Sequence, residues 1–435
     1  MAENVETLGT LERRVSMRVT LKEVDEQVEE RLKKLAREAR MPGFRPGKVP
    51  MKFVQQTYGD QVRSEVLGDA VQKAFTQAVK DANLRVAGYP KIERKEEASG
   101  AGSLEFSATF EVYPEVKIGD LSGASIERPQ VEVGDAEVEK TIEILRRQRA
   151  RPIEASRPAK DGDRLTVDFR GTIGGEPFEG GTATGFAFIL GEGKMLPEFE
   201  AAARGMSPGE KKTFDLKFPD DYHGKNVAGK QASFEISLHK VEEPQLPALD
   251  AEFARSLGVA DGDVAKMRTE VRGNVEREVK KRVDARVKAQ ALQALQDSTP
   301  LELPKALIEM ESQELAQRAA GDLQARGLKP EQMRLEPKMF EESAKRRVAL
   351  GLLIAELARV ENLQPKPAEV RALVEQEAQT YESPAEVVKW FYMQPQRLSE
   401  MESLALESNV VKWVLSKAKV VDKPTPFDEL METKA

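Results

Sequence analysis

The sequence predicts a multidomain α+β protein. An α+β domain is expected over residues 1–113, a linker over 114–150, a compact β-rich domain over 151–245 and an all-α region over 246–435. Three observations carry this. At 435 residues the chain is longer than a single core ordinarily organises. Thirteen of its 30 glycines lie between Gly162 and Gly229, and eight of its 17 phenylalanines between Phe169 and Phe234, so the composition changes abruptly in the middle. Past residue 246 only six glycines remain, and apolar residues recur at helical spacing between prolines.

Each element has its own signal. Leu11, Val15, Met17, Val19 and Leu21 alternate as in a strand. Val24, Val28, Leu32 and Leu35 then mark one stripe of a charged helix. After the loop MPGFRPGKVP at 41–50, helices are expected over 51–82 and strands over 84–94 and 103–113. In the second of these strands Leu104, Phe106, Ala108, Phe110 and Val112 share one face. The linker predicts a helix over 134–150, capped by Asp135 with acidic residues in its first turn. In the middle domain, strands are expected at Arg164–Gly171, Phe186–Leu190, Lys212–Phe218 and Gln231–Val241, separated by turn residues. Helices are expected over 263–297, 304–326, 338–361, 366–379 and 396–419, with breaks at prolines 300, 304, 330, 365, 367 and 384.

Composition narrows the chemistry. The absence of cysteine removes disulfides, thiol catalysis and thiolate metal sites. With only His223 and His239, a histidine-rich metal centre is excluded; counting leaves an all-carboxylate site open, but no metal is expected. Asp220 and Asp221 read as turn residues after Pro219. No GxxxxGK[ST] loop occurs, so no nucleotide cofactor is expected. The net charge of −7 argues against polyanion binding by the whole chain, and no DNA partner is expected; contact with nucleic acid requires a local basic patch. The start, MAENVETLGTLERR, lacks the apolar core of a secretory signal, and the apolar run at 348–355 is far shorter than the roughly 20 residues of a membrane helix. A cytoplasmic protein without a membrane partner is therefore expected.

Two segments carry functional signals. In MPGFRPGKVP, Pro42, Pro46 and Pro50 stiffen a loop bearing Phe44, Arg45 and Lys48. A stiff tip loses little entropy on binding, Arg45 can fork onto phosphate or carboxylate, and Phe44 can fill an apolar notch. By spacing alone the loop reads first as an ordinary helix–helix connection whose Phe44 tucks into its own domain. However, Gly43, Phe44 and Arg45, followed after four residues by Pro50, match the ribosome-binding signature of the trigger factors, which this chain resembles. The resemblance implies docking on the large ribosomal subunit at the exit tunnel, on a ribosomal protein and RNA, through Gly43, Phe44, Arg45, Lys48 and Pro50. Pro46 stands where the family often has lysine.

The second segment, from Leu165 to Glu243, resembles the FK506-binding-protein fold of prolyl isomerases. The motifs VDFRG, EPFEGG, GFAFILGEGKMLPEFEAAARGMSPGEK, PDDYHG and ASFEISLHKVE carry it, in that order. It implies a β-rich half-barrel whose pocket is lined by Phe169, Phe178, Phe186, Met195, Leu196, Phe199, Tyr222 and Phe234. Glu179 and Phe199 stand where single-domain members usually have Asp and Trp. Taken singly, each ring reads first as barrel core; the ordered set favours the isomerase pocket. The helical region, with Leu307, Ile308, Met310 and Leu315 on one helix and methionines further on, has the layout of the trigger factor chaperone domain. The resemblance thus implies an ATP-independent chaperone for nascent or unfolded polypeptides, with prolyl isomerase activity and a homodimer off the ribosome. On the residues alone, a free isomerase with helical targeting domains and a non-enzymatic helical scaffold remain as other readings.

Overall fold

The computed structural model describes residues 5–38, 44, 49–95, 102–222, 224, 226–328, 335–379, 381 and 383–432. In chain order the elements are β1 (Val5–Thr7), β2 (Glu12–Thr20), α1 (Leu21–Glu38), α2 (Met51–Asp81), β3 (Val86–Lys95), β4 (Ser103–Val112), β5 (Ser125–Gln130), α3 (Asp135–Gln148), β6 (Arg151–Glu154), β7 (Arg164–Ile173), β8 (Glu176–Ile189), α4 (Pro197–Ala203), β9 (Lys211–Lys217), β10 (Gln231–Gln245), α5 (Ala251–Ser256), α6 (Val264–Ser298), α7 (Lys305–Ala325), α8 (Glu341–Val360), α9 (Pro367–Ala378), α10 (Pro384–Met393), α11 (Pro395–Lys417), β11 (Lys419–Pro424) and α12 (Phe427–Glu432). They form two units. One joins Met1–Arg128 to Arg286–Asp422; the other joins Pro129–Ala285 to Lys423–Ala435.

The first unit contains an antiparallel sheet in the order β1-β2-β4-β3. Its register places Val15 opposite Ala108, Met17 opposite Phe106 and Val19 opposite Leu104, so both apolar alternations face one side. Val24 and Leu32 of α1 and Val54, Val62, Val66 and Phe75 of α2 cover that face. Phe75 meets Phe110 edge-on at 5.3 Å. Side chains of this size contribute about 1.5–3 kcal/mol each when fully buried. Leu21, expected to extend the strand, instead opens α1. It fits both periods, two residues beyond Val19 and three before Val24, and its N–H makes the last bond, to Gly102 O at 2.9 Å. The segment expected as several helices over 51–82 is one helix of 31 residues.

The helical half of this unit is tied to its N-terminal half at defined points. Ala306 N–H, at the start of α7, donates to Glu111 Oε2 at 2.7 Å. Gly119 N–H donates to Thr299 Oγ1 at 3.0 Å. A Cβ on Gly119 would stand 1.8 Å from Ser298 O, so only glycine permits this approach. Strand β11 interrupts the region expected to be all-α and pairs with β5. Arg128 forks onto Asp422 there, at 2.6 and 3.1 Å.

The second unit is organised around β10. This 15-residue strand lies between β6 and β7, with β8 beyond β7 and β9 also paired to β10. The register shifts between Leu238 and Lys240, which leaves His239 in a bulge. A separate core joins Val138 and Ile142 of α3 to Phe253, Met267, Val271 and Leu430. Asp135 does not cap α3. The Glu137 carboxylate instead accepts from Gly134 N–H at 2.9 Å, and Asp135 pairs with Arg272. A tie at the domain base holds β10 in place. Arg157 forks onto buried Asp163 at 2.6 and 2.9 Å and reaches Glu243 at 2.6 Å.

Because backbone must move to admit a methyl at position 119, Gly119→Ala is expected to lower stability by about 1–3 kcal/mol. Denaturant unfolding of the full chain checks this: the loss should fall in the transition of the first unit, with that of the second unit unchanged.

Candidate functional site

Four strands, a turn and a short helix converge on one cavity of about 610 Å³ in the second unit. β7 supplies Phe169, β8 Phe178, the turn before α4 Met195 and Leu196, α4 Phe199, and β10 Phe234. Tyr222 comes from the loop after β9. That loop is a turn closed by Tyr222 N–H on Pro219 O at 3.1 Å, which also accounts for the acidic pair Asp220 and Asp221. Seven of the eight residues expected in the pocket therefore line one space. Phe186 lies outside it, 37% exposed, with its ring 5.7 Å from that of Phe169. His223 lies outside the described residues.

The rings pack mainly edge to face. Phe199 meets Phe169 at 5.5 Å and Phe234 at 6.0 Å, Phe178 meets Phe234 at 6.0 Å, and Phe218 meets Tyr222 at 4.9 Å. Such pairs add about 0.5–1.5 kcal/mol each beyond the area they bury. Leu216, Phe218 and Val227 also line the cavity and were not expected there. The signal for two of them was the parity of the Lys212–Phe218 run, which puts Phe214, Leu216 and Phe218 on one face. The Phe234 ring lies so close to β7 that a Cβ on Gly171 would stand 2.6 Å from it.

Polar ties surround the cage rather than fill it. Among the described residues its polar-tipped lining consists of Glu179, Lys194 and Tyr222, and Lys194 pairs with Glu192 at 2.7 Å. Next to Phe186, Gly185 N–H donates to Asp168 Oδ1 at 2.7 Å, and His239 Nε2 lies 2.7 Å from Asp168 Oδ2. The Gly185 N–H, and after it His239, hold the Asp168 carboxyl below its ordinary range. Among the described residues no cluster of three or more acidic or histidine side chains could hold a metal ion. Such a cavity can enclose a small apolar ring and strip water from it.

Of the loop residues singled out in the sequence, Phe44 and Pro50 lie among the described residues; Gly43, Arg45 and Lys48 lie outside them. Phe44 is half-buried against the core of the first unit, its ring 5.2 Å from that of the exposed Phe53. Phe53 carries no periodicity signal, since it sits on the solvent side of the first turn of α2. Pro50 precedes α2 with φ −63°, and its carbonyl accepts from Phe53 N–H at 3.0 Å. The first unit also holds a groove of about 570 Å³. Its apolar lining includes Tyr113, Val116, Leu307, Met310, Val348 and Leu352, and its charged lining is Arg85, Arg347, Arg359, Glu311, Glu314 and Glu356.

Two predictions follow the geometry of the cage. Gly171→Ala should displace the Phe234 ring, costing about 1–3 kcal/mol of stability, which denaturant unfolding checks. A depressed aspartate holds its partners above the ordinary carboxylate range and releases them as pH falls through the depressed value. The Gly185 amide resonance should accordingly titrate with a midpoint below 3.8, the ordinary aspartate value, and Asp168→Asn should abolish that titration.

Comparison with known proteins bears on both units. A family model described as bacterial trigger factor protein matches residues 1–145, and its C-terminal counterpart matches 263–416. One for FKBP-type peptidyl-prolyl cis-trans isomerase matches 155–239. A trigger factor of Aromatoleum aromaticum is 54% identical over 99% of this chain and 99% of its own. That of Azoarcus sp. (strain BH72) is 55% identical over 97% of this chain and 96% of its own, and that of Nitrosospira multiformis 54% over 99% of each. The chain therefore belongs to the trigger factor family, ribosome-associated chaperones that bind nascent chains and carry an FKBP-type peptidyl-prolyl cis-trans isomerase.

Proposed function

We propose that the aromatic cavity is where X-Pro bonds turn over, and that the gathering of seven expected residues around one space is the observation that carries this. Rotation about a peptide bond faces about 18–20 kcal/mol because amide resonance must be broken. The twisted amide has less charge separation than the planar one, so a dry aromatic enclosure favours it. The proline ring packs on the faces and edges of Phe169, Phe178, Phe199 and Phe234, against Met195 and Leu196. Tyr222 bonds the substrate backbone at the mouth, and Phe186 covers the outer side of Phe169. No nucleophile or general base takes part.

The remaining assignments belong to the same reading. Residues 1–113 dock on the large subunit at the tunnel exit, on a ribosomal protein and RNA. Arg45 and Lys48 meet phosphate or carboxylate, Phe44 with Phe53 supplies the apolar contact, and Gly43 and Pro50 shape the loop. Residues 114–150 serve as linker, 151–245 as isomerase and 246–435 as the surface that holds emerging segments in an open state. The groove at Met310 and Leu352 supports this last role, since a lining that mixes apolar and charged side chains suits weak, reversible capture of varied sequences. Release needs no ATP. The family resemblance supports a cytoplasmic location and a homodimer off the ribosome.

Ribosome pelleting tests the docking assignment. The chain should co-sediment at low ionic strength and come off as salt rises. The Phe44→Ala/Arg45→Ala double variant should bind at least about tenfold more weakly, equivalent to 1.4 kcal/mol, with isomerase activity unchanged. Equal pelleting of the two proteins would falsify the assignment.

A further inference from the structure

We propose that Glu200 is a positioning residue of the isomerase site: its buried carboxylate clamps both ends of the turn that forms one wall of the cavity. The proposal rests on reading that cavity as the isomerase pocket.

Glu200 is 7% exposed, one of the few charged side chains buried among the described residues. It follows Phe199 on α4. Its Oε2 accepts from Gly191 N–H at 3.1 Å, and its Oε1 accepts from Met195 N–H at 3.4 Å. One carboxylate thus straddles the turn from Gly191 to Met195, which bends through positive φ at Gly191 and Gly193. Met195, at the end of this turn, and Leu196 after it supply apolar wall to the cavity, and Lys194 before them lines it too. Glu200 holds Leu196 as well, since its own N–H donates to Leu196 O at 3.1 Å. A single residue therefore fixes the start of the turn, its end and the entry to α4.

The chemistry explains why a buried charge is kept in an aromatic domain. The two turn N–H groups point inward, where each needs an acceptor. A carboxylate has two acceptor oxygens and no donor, whereas a carboxamide has one of each. Glutamine at this position can satisfy one N–H only and presents its NH₂ to the other. Aspartate keeps both oxygens but is one methylene shorter, and spans the turn poorly. With either change Met195 and Leu196 lose their fixed distance from Phe169 and Phe199. A wall misplaced by about 1 Å is enough to cost up to a hundredfold in rate.

The test uses the full chain, with isomerisation of a proline tetrapeptide measured well below every melting temperature. The variants are Glu200→Gln, Glu200→Asp and Val241→Ala. Val241→Ala weakens the same domain core at a fully buried position that does not line the cavity. Glu200→Gln should lower kcat/KM about tenfold and broaden the Met195 methyl resonance, while Val241→Ala leaves both unchanged despite a comparable drop in Tm. Should Glu200→Gln fail to fold, Glu200→Asp decides, with a loss of the same order expected. Activity equal to that of Val241→Ala in the folded Glu200 variant overturns the inference. An inactive wild-type chain would remove the pocket reading itself, and the wild-type arm separates the two failures.

Discussion

The contact between the rings of Phe199 and Phe234 constrains the whole isomerase domain. They meet at 6.0 Å, 2% and 5% exposed, and each touches several of the other rings of the cage. These are at once the core of a small β domain and the wall of its cavity. The domain cannot fill the space, because the rings that would fill it are held edge to face by their neighbours. The cavity is the part of the core that the sheet does not close over.

Carboxylates fix the backbone around that cage. Glu200 holds the turn before α4, Asp168 the irregularity of β8 at Gly185, and Asp163 the loop before β7 through Lys160 N–H at 2.9 Å. For Asp163, burial would raise the carboxyl, but the Arg157 guanidinium and the Lys160 N–H outweigh it and hold the group below its ordinary value. An acid side chain that accepts from backbone N–H groups orders a turn without adding bulk. This is how a glycine-rich domain keeps its loops in place while leaving an open cavity.

Much of this was legible in the sequence, because the strongest signals are local. The alternation from Leu104 to Val112 marks β4, and the helix expected over 263–297 is α6 at Val264–Ser298. The cage was legible because ordered motifs identify rings that parity alone leaves as core. What escaped depends on partners far along the chain. Strand β11 has two apolar residues, Val420 and Val421, and exists because β5 offers it an edge. Asp135 has the chemistry of a cap, yet Arg272 claims it, and Glu137 reaches back to do the capping. Phe44 was open to two readings, a free tip or a tucked ring; the structure has it half-buried beside Phe53.

The first unit is discontinuous, and that governs the order in which the molecule itself can be made. Residues 155–239 are contiguous, so every partner of the aromatic cage has been synthesised once β10 leaves the ribosome. The bonds from Gly119 to Thr299 and from Glu111 to Ala306 join segments separated by 180 and 195 positions. Until the later segment emerges, the earlier one waits with those groups unmet. Contacts between segments so distant in sequence are slow to form. A protein that attends unfinished chains thus passes through a prolonged unfinished state of its own, with the aromatic domain completed before the first unit.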